Sequence, residues 1–167
     1  KRDKSDIKIT DMLYKCYNDV VTKGSCHDTF KLIRDRFVGI VKDLNLSINI
    51  DAILDETEKA IDAEKETADF AASRGEYLSA RIMAEYLGFE FVDAADLIRF
   101  DSKGNLNAVY TDDKIKVKLA DKEYVVIPGF YGKNSAGKIK TFSRGGSDIT
   151  GSSIAKGVGA ELYENWT

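Results

Sequence analysis

The hydrophobic period of this chain changes once, close to Gly88, and that change limits the folds open to it. Before it, apolar residues recur at three- and four-residue steps. Ile9, Met12, Leu13, Cys16, Tyr17 and Val20 fall on one helical face, and Phe30, Ile33, Phe37, Ile40, Val41 and Leu44 on another. Lys23-Gly24-Ser25 between them suits a helix end. A third helix is expected from about Ile50 through Ile53, Leu54 and Ile61 to Phe70, with Asp55, Glu56, Glu58, Asp62, Glu64 and Glu66 as a solvated acidic face. A fourth is expected to follow Ser73-Arg74-Gly75-Glu76, to carry Leu78, Ile82, Met83 and Tyr86, and to stop at Gly88.

Beyond Gly88 the apolar runs shorten and glycine turns separate them. Phe89-Glu90-Phe91-Val92-Asp93 and Leu97-Ile98-Arg99-Phe100 read as short strands, with Asp101-Ser102-Lys103-Gly104-Asn105 as a turn. Residues 111–120 fit either a helix capped at Thr111-Asp112-Asp113 or a strand alternating through Ile115, Val117 and Leu119; helix is preferred. Tyr124-Val125-Val126-Ile127 is expected to be a strand buried on both faces. Lys133-Asn134-Ser135-Ala136-Gly137 reads as a hairpin tip returning through Lys138 to Phe142. A last helix follows Ser143-Arg144-Gly145-Gly146-Ser147-Asp148, with Ile154, Val158 and Leu162 on one side. Helices interleaved with buried strands imply an α/β layered sheet. Leu162-Tyr163-Glu164-Asn165-Trp166 has the composition of a strand, so the chain from Lys1 to Thr167 is expected to be cut from a longer protein.

Charge excludes some roles. Lysine and arginine number 25 against 28 acidic residues, a net charge of −3 with no basic stripe, which leaves nucleic-acid binding without electrostatic support. No apolar run reaches membrane-spanning length, and no signal peptide opens the chain. Two cysteines do not make a disulfide framework, so a reducing cytoplasmic setting is expected. Cys16 reads as core, and His27 beside Cys26, with no second ligand pair, makes a poor metal site.

Three segments could carry chemistry. In Arg144-Gly145-Gly146-Ser147-Asp148, two glycines permit a sharp turn and close backbone approach, the following helix offers free N–H groups to an anion, and Arg144 offers a fork suited to carboxylate or phosphate. The same residues also suit a plain turn with a Ser147 cap and a solvated arginine. In Ser73-Arg74-Gly75-Glu76, Glu76 either complements the dipole of a helix start or waits for a substrate ammonium. Pro128-Gly129-Phe130-Tyr131-Gly132 leaves the buried strand where open α/β sheets bind ligands, or is a simple strand exit. No P-loop pattern occurs.

Together, Ser73-Arg74-Gly75-Glu76-Tyr77-Leu78-Ser79-Ala80, Val126-Ile127-Pro128-Gly129-Phe130-Tyr131-Gly132 and Phe142-Ser143-Arg144-Gly145-Gly146-Ser147-Asp148, with Trp166-Thr167 behind them, resemble the aspartate kinase family of amino-acid kinases. The Ser-x-Gly-Glu segment discriminates, because glycine turns recur across the superfamily. The resemblance implies an incomplete three-layer αβα sandwich of the amino-acid kinase (carbamate kinase-like) type, with residues 1–167 forming part of its catalytic domain. It implies that Glu76 binds the amino group of aspartate and that Arg144 takes the α-carboxylate, with Gly145, Gly146 and Ser147 around it. Asp148 is expected to orient the catalytic lysine and reacting groups, and Thr167 to begin the nucleotide loop.

The implied reaction moves the γ-phosphoryl group of ATP, with Mg2+, to the side-chain carboxylate of L-aspartate, in a homo-oligomer assembled through regions outside this chain. No protein metal ligand is assigned, and no nucleic-acid or membrane partner is expected. The family's opening Lys-Phe-Gly-Gly-[Ser/Thr] motif does not occur here, nor do the rest of the ATP loop and the ACT domains, so the 167 residues alone are expected to be inactive. Two alternatives stand beside this reading. One is another amino-acid kinase, acting on glutamate, acetylglutamate, carbamate or a nucleoside monophosphate. The other is a non-catalytic amino-acid-binding module that uses the helical first half.

Overall fold

A computed structural model describes residues 6–63 and 67–166. The chain divides into two compact units, Lys1–Gly88 and Phe89–Thr167, at the point where the hydrophobic period changes.

The first unit is helical: α1 (Ile9–Lys23), α2 (His27–Asp43), α3 (Ile50–Asp62) and α4 (Ala68–Leu87). Its core is built from the predicted stripes. Leu13 and Cys16 of α1, Phe30 and Ile33 of α2, Leu54 of α3 and Leu78 of α4 are all fully buried. Gly24 ends α1 in the left-handed conformation, φ +79°, and Gly88 ends α4 in the same way.

The expectation of a third helix reaching Phe70 is corrected. α3 stops at Asp62, and α4 begins at Ala68, where the Thr67 hydroxyl accepts the Phe70 N–H at 3.2 Å. The Ser73–Glu76 segment therefore lies well inside α4 and is not a helix start. Gly75 is no breaker there, because a Cβ on it would lie 3.1 Å from Ile9 Cγ2 and 3.4 Å from Leu13 Cδ1. It lets α4 lie close on α1.

Two ionic clusters tie the helices. The largely buried Asp19 carboxylate accepts from Lys15 at 2.6 Å and from the Thr29 hydroxyl at 2.6 Å, and pairs with Lys23 at 2.9 Å. Arg34 of α2 reaches Asp51, Asp55 and Glu58 of α3, and Glu58 also meets His27 at 2.8 Å. Of the acidic face expected to be solvated, Asp55 and Glu58 are thus ion-paired to α2, while Glu64 and Glu66 lie outside the described residues.

The second unit mixes strands and helices. β1 (Glu90–Phe91) pairs in parallel with β2 (Val125–Val126), and β3 (Tyr131–Lys133) pairs antiparallel with β4 (Ile139–Thr141). α5 (Ala108–Leu119) and α6 (Gly146–Val158) complete it. The hairpin tip is as expected, with Gly137 at φ +77° donating its N–H to Asn134 O at 3.0 Å. The helix preferred for 111–120 is also observed, but its cap is Asn107, whose side chain accepts from Tyr110 N. Ile115 and Leu119, one turn apart, are buried while Val117 is exposed.

Three strand expectations are corrected. The Leu97–Phe100 run follows a 3-10 turn (Ala94–Asp96), and only Arg99 and Phe100 make isolated bridges, to Lys133 and Leu106. The Tyr124–Ile127 run is half-buried, with an exposed Tyr124 stacked on Phe89 at 4.9 Å between ring centroids. Leu162–Trp166 forms no strand. It turns back along α6, where a Cβ on Gly151 would lie 2.4 Å from the Tyr163 hydroxyl.

α6 packs on α5 through Gly157, whose Cβ would lie 2.5 Å from Cγ2 of the fully buried Ile115. Helix propensity favours alanine over glycine there by about 1 kcal/mol. The β-branched Ile115 cannot swing aside, and such overpacking costs about 1–3 kcal/mol. Gly157→Ala is therefore expected to lower the urea midpoint, and an unchanged or raised midpoint would refute the close packing.

Asp19 gives a pH-dependent test. The hydrogen bonds from Lys15 first, then Thr29 and Lys23, hold its carboxyl well below the usual carboxylate range. A folded-state pKa below the unfolded one contributes stability above the unfolded value of about 4, lost as pH falls through the depressed folded value. Asp19→Asn is expected to flatten the loss of stability between pH 5 and pH 3, and parallel curves for both proteins would count against the cluster.

Candidate acceptor-binding site

The glycine-rich segments of the second unit meet backbone to backbone. Leaving β2, the chain passes a buried Pro128, then Gly129, and enters β3 through Phe130. A Cβ on Gly129 would lie 2.9 Å from Ser147 Cα and 3.0 Å from Ser147 Oγ. From the other side, a Cβ on Gly146 would lie 2.9 Å from Phe130 Cα and 2.9 Å from Phe142 Cβ. No side chain fits at either position, so glycine is required by contact at both.

Phe130 itself holds φ +81°, a conformation that side-chain-bearing residues rarely adopt. Its carbonyl accepts the Phe142 N–H at 2.9 Å, carrying the β3–β4 ladder one step further. Gly132 fits closely on the Ile98 backbone, and the buried Tyr131 donates its hydroxyl to Asp93 at 2.8 Å.

This packing aims the start of α6. Gly145, at φ +61°, is the residue before the helix, and no side chain caps it. Ser147 is therefore not a cap, as the plain-turn alternative would have it. It lies in the first turn, exposed, with Gly129 beneath it. The first turn of a helix leaves backbone N–H groups without partners inside the helix, at the positive end of its dipole.

Arg144 stands beside them, exposed, and makes no hydrogen bond or ion pair among the described residues. Asp148 is exposed and accepts from the Asn165 side chain at 3.1 Å. Arg144, Gly145, Gly146 and Ser147 thus form one cationic, donor-rich turn suited to a carboxylate or phosphate, and the Asp148 carboxylate follows them in the first turn of α6.

Glu76 belongs to the first unit. Around it the Ser73–Gly75 segment serves helix packing. The Arg74 guanidinium is buried between the Phe70 and Tyr77 rings, 4.5 Å from each centroid. Ser73 Oγ accepts from Arg74 at 2.9 and 3.1 Å and donates to Phe70 O. Glu76 alone of the four is exposed, and it has no hydrogen-bond or ionic partner among the described residues. Its side chain reaches solvent, yet protein atoms crowd the carboxyl enough that desolvation raises its pKa above the ordinary glutamate value.

Thr167 lies outside the described residues. No group of three or more metal-ligating side chains occurs among those described. None of their helices is long and apolar enough to cross a membrane.

The Phe70, Arg74, Tyr77 stack escaped the reading of the sequence, although its i, i+4, i+7 spacing was there to find. The left-handed Phe130 had no comparable signal, since nothing local marks a phenylalanine for positive φ.

The chain is similar to known proteins over nearly all its length. Residues 29–167 match the model of the amino acid kinase family. Aspartokinase 3 of Bacillus subtilis (strain 168) is 31% identical over 97% of this chain and 38% of its own length. The crystal structure of the Clostridium acetobutylicum aspartate kinase superposes with a TM-score of 0.96 at 48% identity, over 100% of this chain and 38% of that one. Aspartokinase III of E. coli, in complex with lysine and aspartate, superposes at 0.75 with 19% identity over 97% of this chain and 41% of its own. The chain therefore spans less than half the length of these relatives. Its fold is that of the amino-acid kinase domain in part, with the helix-rich first half expected for it. By the extent of these matches, this chain belongs to the amino acid kinase family.

Proposed function

We propose that this chain is the acceptor-gripping part of an aspartate kinase catalytic domain. In the full-length protein it holds L-aspartate while the γ-phosphoryl group of ATP moves to the side-chain carboxylate, giving aspartyl phosphate. The carrying observation is the Arg144 turn: an unpaired guanidinium beside the uncapped start of α6, on a floor of two glycines with no room for a side chain. The likeness to an aspartate kinase at 48% identity supports the substrate.

On this reading Arg144 takes the α-carboxylate, and the Gly145, Gly146 and Ser147 backbone surrounds it. Glu76 is assigned the substrate ammonium. Its lack of a partner and its desolvated carboxyl suit a group that waits for a cation. Asp148 orients the lysine that the family supplies from its Lys-Phe-Gly-Gly motif, absent from this chain, and Thr167 begins the nucleotide loop.

Phosphoryl transfer depends on in-line positioning and neutralised charge more than on covalent help. Magnesium supplies part of that neutralisation on the ATP phosphates and needs at most one or two protein carboxylates. Assembly into a homo-oligomer would use surfaces outside this segment.

The test is ATP-dependent acyl phosphate formation by a full-length protein carrying this segment, trapped with hydroxylamine, comparing L-aspartate, L-glutamate and N-acetylglutamate. Turnover should be confined to aspartate. Arg144→Ala should raise the aspartate KM about 10- to 100-fold, the worth of a hydrogen bond to a charged group, with the ATP KM unchanged. Turnover with another acid would keep the family and overturn the substrate. The 167 residues alone should show no turnover.

Glu76 adds a second expectation. A carboxyl whose folded pKa is raised contributes stability below its unfolded pKa that is lost as pH rises through the folded value. Glu76→Gln is therefore expected to be more stable than the parent at pH 7, with the difference closing near pH 4, while the aspartate KM rises. A variant that loses stability at pH 7 would show that Glu76 has a structural partner.

A further inference from the structure

Phe130 pays for its backbone. A side-chain-bearing residue in a sparsely populated conformation is strained and persists only where its surroundings hold it. A glycine would carry φ +81° without that cost, as six glycines of this chain carry positive φ elsewhere. A phenylalanine at this position calls for a reason, and its contacts supply one.

The residue touches both ends of the turn that bears Arg144. On the strand side, its carbonyl accepts the Phe142 N–H at 2.9 Å. On the helix side, Gly146 packs against its Cα and its ring, so that a Cβ there would lie 2.9 Å from Phe130 Cα and 3.1 Å from Cδ2. Between these anchors Ser143, Arg144 and Gly145 are exposed, and Arg144 has no partner of its own among the described residues to hold it. The left-handed backbone is what allows one residue to present its carbonyl to the strand and its ring to the helix.

We infer that Phe130 is a positioning residue for Arg144: it pins residues 142 and 146 and so sets where the guanidinium and the first N–H groups of α6 stand. This rests on the proposed role of Arg144 in gripping the acceptor. Glycine at 130 would keep the backbone and lose the ring brace. Alanine would keep the strain and lose the brace as well. Tyrosine would keep both.

The experiment uses the full-length protein carrying Phe130→Ala, Phe130→Tyr, Arg144→Ala and the Phe130→Ala/Arg144→Ala pair. Phe130→Ala is expected to raise the acceptor KM about 10- to 100-fold, the scale on which small misplacements act, with the ATP KM unchanged and Phe130→Tyr close to the parent. In the pair, the loss should fall well short of the product of the two single losses, because the part of the effect that runs through Arg144 has nothing left to act on. Losses that multiply would overturn the inference.

A second measurement needs no substrate. Trypsin cuts after Arg144, and Phe130→Ala should speed that cut several-fold relative to cuts elsewhere in the chain, whereas an unchanged relative rate would overturn the brace. If the parent turns over a different acid, the kinetic cycle is read with that acid. If it turns over none, the functional proposal falls and the tryptic rate alone decides the role of Phe130.

Discussion

The second unit depends on one contact: the backbone of Gly129–Phe130 laid against that of Gly146–Ser147, at distances that leave no space for a Cβ. It joins the strand exit after β2 to the start of α6. The hairpin between them ends in the Phe142 N–H to Phe130 O bond, so the ladder delivers the chain to the same place. A helix N-terminus left without a side-chain cap there carries exposed donors, and Arg144 adds a full positive charge beside them. Tight packing of apolar and glycine backbone below, with unpaired donors above, is the arrangement an anion site needs.

The first unit solves a different problem by similar means. Its helices close on each other through Gly75 on Ile9 and Leu13, and through the Asp19 and Arg34 ion clusters. Within the Ser73–Glu76 segment the division of labour is sharp. Ser73, Arg74 and Gly75 are buried in hydrogen bonds, ring stacking and helix contact, and Glu76 is left outward and unpaired.

Much of this was legible in the sequence wherever the signal was local. The apolar stripes of α1 and α2, the glycine stops at Gly24 and Gly88, and the Asn134–Gly137 turn follow from periodicity and from the freedom of glycine. The Arg144–Asp148 turn could be singled out because its residue types suit an anion, though the sequence alone left a plain turn equally open. Misreadings arose where a remote contact changed what a residue was for. The Ser73–Glu76 segment reads as the start of a helix and lies inside α4, where Gly75 packs on α1. Of the two roles open to Ser147, a cap or an anion donor, the cap is not made, and the residue lies in the first turn over Gly129. Tyr124–Ile127 looked buried on both faces and is half-covered.

By itself the sequence determined the change from helical to mixed architecture near Gly88 and the glycine-rich turns, because period and turn chemistry are local properties. Only the tertiary structure decided that Thr67 and not Ser73 opens α4, that Arg74 is spent in a ring stack, and that Phe130 must adopt a glycine's conformation to brace both ends of the Arg144 turn. Those outcomes come from atoms far apart in the chain competing for the same space, and no window of neighbouring residues contains that competition.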